Sequence, residues 1–443
     1  GEYGDIGAES VWNTTSRVLD LKAGSFFEGI RMLDASGVYD PETKKIDLGI
    51  ETNGLPLDAL NPLLGFFASG IHGKASGKLR LSGELNRLLL TGAVKAENTA
   101  MTIDYLQTRY TINDTVRFDS DGISFDNVNV TDDRGNLAVI NGAVNHKHFS
   151  DFAANLTVNV DNTMVLNTKP KDNELFYGTA FASGVTTIKS DQNSLNFDIS
   201  ARTERNTKFY MPLNSGLTVS DYSFINFIVP DSLENKSDDK ASATETEGEQ
   251  NNGSGIGLNF EVEVTPEAEI QLLIDPKAGD VISGRGSGTL NLNLSPKGDF
   301  RISGDYIIED GEYLYTLGNI LNKPFSVENG GRITFNGDIE NAEIDLVAKY
   351  RLNTSLFEIL QDERYNERIP VECHLILSGK LFNPVIGLDI YLPRADEETR
   401  SYLNNMITTE EEKSRQFLYL LVMNSFYAGS MSRSNINTTS TGT

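Results

Sequence analysis

Apolar and polar residues alternate along most of this chain, and the alternating runs meet at glycines. One passage leads through Leu79 and Leu81 to Gly83, then through Leu85, Leu88 and Leu90 to Gly92. Another leads through Leu290, Leu292 and Leu294, turns at Ser295-Pro296-Lys297-Gly298, and returns through Phe300 and Ile302 to Gly304. A period of two places every second side chain on one face of a strand, so each passage predicts an antiparallel pair with one apolar face. A short phrase marks the repeats: Leu81-Ser82-Gly83-Glu84-Leu85, Phe335-Asn336-Gly337-Asp338-Ile339 and Leu377-Ser378-Gly379-Lys380-Leu381. In each copy an alternating strand enters a glycine and another leaves it. A unit of this kind cannot bury its apolar face alone, so stacked units make a long sheet whose apolar side closes, packs or holds something.

Further alternating pairs at Ile333/Phe335, Leu375/Leu377 and Leu388/Ile390 complete the candidate apolar lining. Alternation is compatible with a closed core and with an open trough alike. Three stretches break the pattern. Pro56 to Phe67 places Leu57, Leu60, Leu64 and Phe67 on one helical face, predicting a short helix that plugs or caps the sheet. Asp231 to Gly255 is acidic, with no apolar anchor after Leu233, and reads as a disordered insertion within one sheet. After Pro393 the period lengthens, predicting helices over Asp396–Met406 and Thr408–Phe426; Thr409 and Glu412 form a capping box for the second. Its run Phe417 to Val422 is apolar most of the way round, which predicts burial against protein or lipid. The organisation expected is a β-repeat over 1–230, the insertion at 231–255, a second β segment over 256–393, helices over 394–428 and a polar tail over 429–443.

Charge and composition narrow the function. A net charge of -25 with no basic stripe excludes a nucleic-acid backbone as partner and argues against broad docking on anionic lipid headgroups. No stretch is apolar enough to span a bilayer, and the chain opens Gly1-Glu2-Tyr3-Gly4, so any membrane anchor is expected outside it. Cys373, the single cysteine, sits in a strand pattern and reads as a packed side chain. His146 and His148 share one face if their strand continues, but no third ligand is nearby, and they read as a polar strand end. Asp119-Ser120-Asp121-Gly122 lacks the later ligands of a calcium loop and reads as a turn. A strand follows Gly284-Arg285-Gly286-Ser287-Gly288, so these glycines serve bending or close backbone approach, not phosphate binding. Asp338, Glu340, Glu343 and Asp345 alternate with isoleucines and read as the wet face of a strand, not a glycosidase pair. No cofactor and no catalytic residue is expected.

The second half resembles a known family. Asp275-Pro276-Lys277-Ala278-Gly279-Asp280, Gly304-Asp305-Tyr306-Ile307-Ile308-Glu309-Asp310-Gly311-Glu312-Tyr313, Asn319-Ile320-Leu321-Asn322-Lys323-Pro324-Phe325, Gly379-Lys380-Leu381-Phe382-Asn383-Pro384 and Thr409 to Leu418 follow one another as in the TamB C-terminal domain. TamB is the inner-membrane-anchored subunit of the translocation and assembly module, and the chain is similar to its Bacteroidota-type form. The likeness is strong from about Phe209 to Phe426 and general before that. It implies an all-β, elongated antiparallel β-taco, a curled sheet with an open apolar trough and short helices, related to AsmA-like and bridge-like lipid transfer proteins. It implies no enzyme activity, a periplasmic location, an inner-membrane anchor in a segment outside this chain, and a C-terminal end near an outer-membrane barrel of the TamA/BamA type. Two functions follow as expectations. One is a phospholipid conduit lined by the apolar positions above. The other is an assembly factor for outer-membrane barrels, with Phe417, Leu418, Leu421 and Val422 as partner-binding positions.

Overall fold

The computed structural model describes residues 5–65, 67–148, 150–173, 176–190, 194–212, 255–275, 279–295, 299–317 and 321–428. Residues 231–254 of the expected insertion, the tail 429–443 and the turn Pro296–Gly298 lie outside them. The described strands form one 23-stranded sheet, the described residues are 69% strand and 11% helix, and the sheet is strongly curled. Most neighbours are antiparallel, as with Ala68–Glu84 beside Arg87–Ile103 and Arg368–Lys380 beside Asn383–Tyr391. The repeated phrase has one backbone shape. Gly83, Gly337 and Gly379 take φ of +114°, +100° and +85° at the ends of their strands, a region open to glycine and strained for other residues.

Strands of 17 and 19 residues, such as Ala68–Glu84 and Ser150–Thr168, are too long to stay flat, and they bend along a line of β-bulges. Gly54, Asn98, Asn127 and Asn162 take φ of +66°, +47°, +51° and +47°. At each one the ladder register shifts. The displaced N–H donates instead to a side-chain oxygen of the neighbouring segment: Gly54 to Ser76 Oγ at 2.9 Å, Asn98 to Asn113 Oδ1 at 2.6 Å, Asn127 to Asn141 Oδ1 at 2.8 Å and Asn162 to Ser183 Oγ at 2.9 Å. Bulged backbone groups are thereby satisfied and the sheet folds lengthwise. Along the same line one strand position is split in two: Thr108–Ile112 and Thr115–Asp119 both pair with Arg87–Ile103 on one side and Gly122–Asp132 on the other. Small or branched residues floor the fold, with Ala75, Ala96, Ala100, Val128, Ala138 and Thr163 all buried.

The antiparallel pattern breaks once. Ser194–Thr203 pairs in parallel with Gly255–Val264, and Lys208–Pro212 in parallel with Glu269–Asp275. Pro212 and Gly255 therefore lie at opposite ends of this pairing, and the chain joining them returns along up to about 60 Å of strand.

Among the described residues four α-helices accompany the sheet: α1 (Asn61–Leu64), α2 (Phe357–Leu360), α3 (Glu397–Met406) and α4 (Glu410–Met423). The expected helix near Pro56 is a 3-10 turn, Asp58–Leu60, running into α1. Asn61 clamps it to the first long strand, donating to Ile71 O and accepting from Ile71 N, both at 2.8 Å. Helices α3 and α4 begin as the caps dictate, with Asp396 accepting from Thr399 N at 2.7 Å and Thr409 from Glu412 N at 3.2 Å.

Two predictions follow from these joints. Asp132, buried at the end of its strand, accepts from Arg134 N, Asn136 N, Asn136 Nδ2 and Met164 N at 2.8 to 2.9 Å. Burial acts to raise its pKa, but these hydrogen bonds outweigh it and hold the carboxyl below its ordinary value. With a folded pKa below the unfolded one, its contribution is complete above the unfolded value near 4 and fades as pH falls through it. Asp132→Ala should cost about 2 kcal/mol locally, read as roughly thirtyfold faster amide exchange at Arg134, Asn136 and Met164 near neutral pH, with the difference shrinking below pH of about 4. Unchanged exchange would show that the carboxylate holds nothing. For the connection, deleting residues 231–254 leaves 18 residues, 213–230, whose extended reach of about 60 Å only just covers the return path. Replacement of 231–254 by a Gly/Ser linker of about ten residues should leave the melting transition in place, and bare deletion should lower it. A loss with the linker present would mean that the removed residues pack.

Candidate functional site

Register converts alternation along each strand into rows across the sheet. One row passes through Ala35, Ile50, Leu79, Gly92, Phe118, Ile123, Val144 and Ala154, each the direct cross-strand partner of the next. Gly37, Leu48, Leu81 and Leu90 form the row beside it. Farther along, Val128, Ile140, Val158, Thr186, Ile199, Phe260, Leu292, Ile302 and Gly337 form a row of nine strands. A neighbouring row joins Leu156, Ile188, Phe197, Leu258, Leu294 and Phe300. Leu290 lies between Val262 and Gly304, and Gly304 is opposite Phe335. None of these rows contains a charge, and they run across the strands, along the length of the trough.

The opposite face is hydrated. Thr187, Asp198, Asn259, Asn293 and Arg301 form a row there, in which Asn259 Nδ2 donates to Asp198 Oδ1 at 2.8 Å and Asn293 Nδ2 to Asn259 Oδ1 at 2.5 Å. A cavity of ≈ 860 Å³ is lined by Thr187, Asp198, Asn259, Asn293 and Arg301 of this row together with Ile199, Phe260 and Leu292 of the apolar row between them. Farther toward the N-terminus Arg80 grips Asp47 through two contacts of 2.7 and 2.6 Å.

Burial changes along the trough. Leu79, Leu81, Leu290, Leu292, Leu294, Phe300 and Leu388 are half-buried, whereas Ile302, Ile333, Phe335, Leu375, Leu377 and Ile390 are buried in one continuous core. That core closes because helices enter it. Phe417, Leu420 and Leu421 of α4 are 0 to 1% exposed, and the Phe417 ring stacks on Phe325 with centroids 6.2 Å apart and planes at 14°. Leu356, Ile359 and Leu360 around α2 and Leu403 of α3 join them. The two readings left open by alternation thus divide the molecule, with the apolar face open along its N-terminal part and closed at its C-terminal end.

Two expectations meet a different geometry. Leu85 lies in the turn between its two strands, outside the rows, and is 53% exposed; its counterpart in the third phrase, Leu381, is fully buried in the C-terminal core. The four helical positions split, since Phe417 and Leu421 are buried in the core while Leu418 and Val422 are 36% and 54% exposed. His148 is a turn residue with φ of +54° beyond the end of the strand at Lys147, so it does not share a strand face with His146, whose ring lies against Phe152. Among the described residues no three His, Cys, Asp or Glu side chains are grouped to hold a metal ion. Glu343 and Asp345 are the wet side of their strand, whereas Asp338 and Glu340 belong to a 3-10 turn. A Cβ on Gly286 or Gly288 would lie 2.0 or 2.1 Å from a carbonyl oxygen of the adjacent strand, which is the close approach expected of them. Sequence reasoning missed Phe325 and its ring neighbours Tyr315 and Tyr350, which receive α4; Lys323 and Pro324 beside Phe325 mask its alternation.

A family model described as the TamB C-terminal domain matches residues 126–443, well over half of the chain. The chain belongs to the TamB C-terminal domain family. The match begins some way before Phe209, where the recognisable phrases start. A search among curated proteins found no match. The family is an envelope-spanning, non-enzymatic transport and assembly module that serves the outer membrane with a TamA-type partner. No helix among the described residues is long and apolar enough to cross a membrane.

Closure of the C-terminal end has a direct chemical readout. Cys373 is fully buried between Tyr350 and Ile390 on neighbouring strands, and burial pushes its thiol pKa up to about 12. At neutral pH this leaves roughly a thousandfold less thiolate than an ordinary cysteine has. Maleimide should therefore modify Cys373 only after denaturation, and rapid labelling of the native protein would show that the closed end opens freely.

Proposed function

We propose that this protein is a conduit for phospholipid between the inner and outer membranes, moving acyl chains along the apolar rows and supporting outer-membrane biogenesis. The observation that carries the reading is the run of uncharged cross-strand rows, eight and nine strands long, with half-buried leucines along the N-terminal part. About sixteen methylenes exposed to water at ~0.8 kcal/mol each cost on the order of 13 kcal/mol, so a lipid does not cross the aqueous periplasm unaided at a useful rate. A continuous apolar surface removes most of that cost and needs no headgroup pocket, in keeping with the acidic, hydrated outer face. In this reading the chain stands in the periplasm, its anchor lies in a segment outside it, and its C-terminal end meets an outer-membrane barrel of the TamA/BamA type.

A second reading, assistance to barrel insertion, has its own support. The outward side of α4 exposes Leu418 and Val422, and the edge strand Asn383–Tyr391 exposes Val385 and Ile386 at 68% and 51%. An unpaired strand edge can accept another strand by β-augmentation.

One set of variants separates the two. An unpaired charge in an apolar trough costs several kcal/mol, and Leu81 and Leu292 are half-buried, so the sheet can accept the change. Leu81→Asp and Leu292→Asp should abolish phospholipid co-purification, measured by mass spectrometry, and outer-membrane integrity in a cell that depends on the protein. Leu→Met at the same sites should preserve both. A normal outer membrane with folded, well-expressed charged variants would remove the conduit; loss of bound barrel precursor only in Leu418→Glu/Val422→Glu would put the assembly role in its place.

A further inference from the structure

Helix α4 sits where a transported chain would have to pass. Fourteen residues give it a length of about 21 Å, and its inner side, Phe417, Leu420 and Leu421, meets the same sheet face that supplies Ile333, Leu375 and Leu377. These side chains fill the closed end with contacts of the kind an acyl chain makes, non-directional and proportional to area. Polar contacts join the helix to its own C-terminal tail. Gln416 is 1% exposed, and its amide is fully used: Nε2 donates to Glu412 Oε1 at 2.8 Å and to Tyr427 O at 3.0 Å, while Oε1 accepts from Tyr427 N at 2.8 Å. This clasp folds residues 425–428 back onto α4 and buries Phe426. These bonds lie within residues 412–427, so α4 and its tail form one piece, and what holds that piece on the sheet is apolar: Phe417, Leu420, Leu421 and Phe426 buried in the core and the Phe417 ring on Phe325.

We propose that α4 is a displaceable plug, a built-in occupant of the trough's C-terminal end that leaves only when lipid is handed on. The proposal rests on the conduit reading and adds to it a gate. Lipid loads along the open rows at Leu79 and Leu81 and halts before Leu375 and Leu377, and movement onward requires the Phe325–Phe417 stack and the apolar contacts around it to open.

The test uses the full chain with every leucine replaced by photo-leucine, which preserves packing, and vesicles of phosphatidylethanolamine and phosphatidylglycerol. After irradiation, lipid adducts are mapped by mass spectrometry. Adducts are expected on Leu79, Leu81, Leu88 and Leu90, and at least about tenfold fewer on Leu346, Leu375 and Leu377, as for a site exposed only in a minor population. In Phe417→Ala/Leu421→Ala, the adducts at Leu375 and Leu377 should rise at least about fivefold while those at Leu79 and Leu81 stay constant. Equal labelling of both ends in the unaltered protein overturns the plug and leaves the conduit standing, a result that needs no variant to fold. No rise at Leu375 when amide exchange shows α4 released also overturns it. Absence of adducts at both ends removes the conduit reading, and the plug with it.

Discussion

Every functional surface in this protein depends on the cross-strand register of one backbone hydrogen-bond network. Because side chains alternate with a period of two, a slip of a single residue would send a strand's whole apolar set to the wet face. Register holds Leu48 opposite Leu81 and Leu81 opposite Leu90, and it carries the same parity through the parallel junction, where Ile199 meets Phe260 and Asp198 meets Asn259. Rows of one chemistry therefore pass through a change of strand direction without a charge entering the apolar side.

Curling is a second consequence of the same network. Where Asn98, Asn127 and Asn162 leave the ladder, each bulged N–H finds a side-chain oxygen across from it, so these backbone donors stay paired. Aligned over alternate strands, these bulges turn a long flat sheet, which would expose its apolar face, into a fold with an inside.

The inside is not uniform, and the difference is made by helices. Leu85 and Leu381 close the same repeated phrase, yet one is exposed and the other is fully buried in the C-terminal core, where its N–H donates to Ala342 O. At the closed end the protein satisfies its apolar face with its own side chains. Along the open rows it does not, and that residual apolar surface is the property on which a transport role rests.

Much of this was legible in the sequence. Alternation identified the strands and the partition of faces, as with Leu290, Leu292 and Leu294 against Asn291 and Asn293, because a strand's side-chain period is set by backbone geometry alone. The helix start at Asp396 and the cap at Thr409 were equally local. The curl was not, since it comes from bulges that need an acceptor on a neighbouring strand, and no single strand encodes its partner's asparagine. Nor was the division between open and closed ends, because whether Leu81 or Leu377 is covered depends on where α4 lands, and that is decided by its contact with Phe325, a residue remote from those leucines in sequence. Periodicity reports which side of a strand is apolar; only tertiary packing decides what, if anything, lies against it.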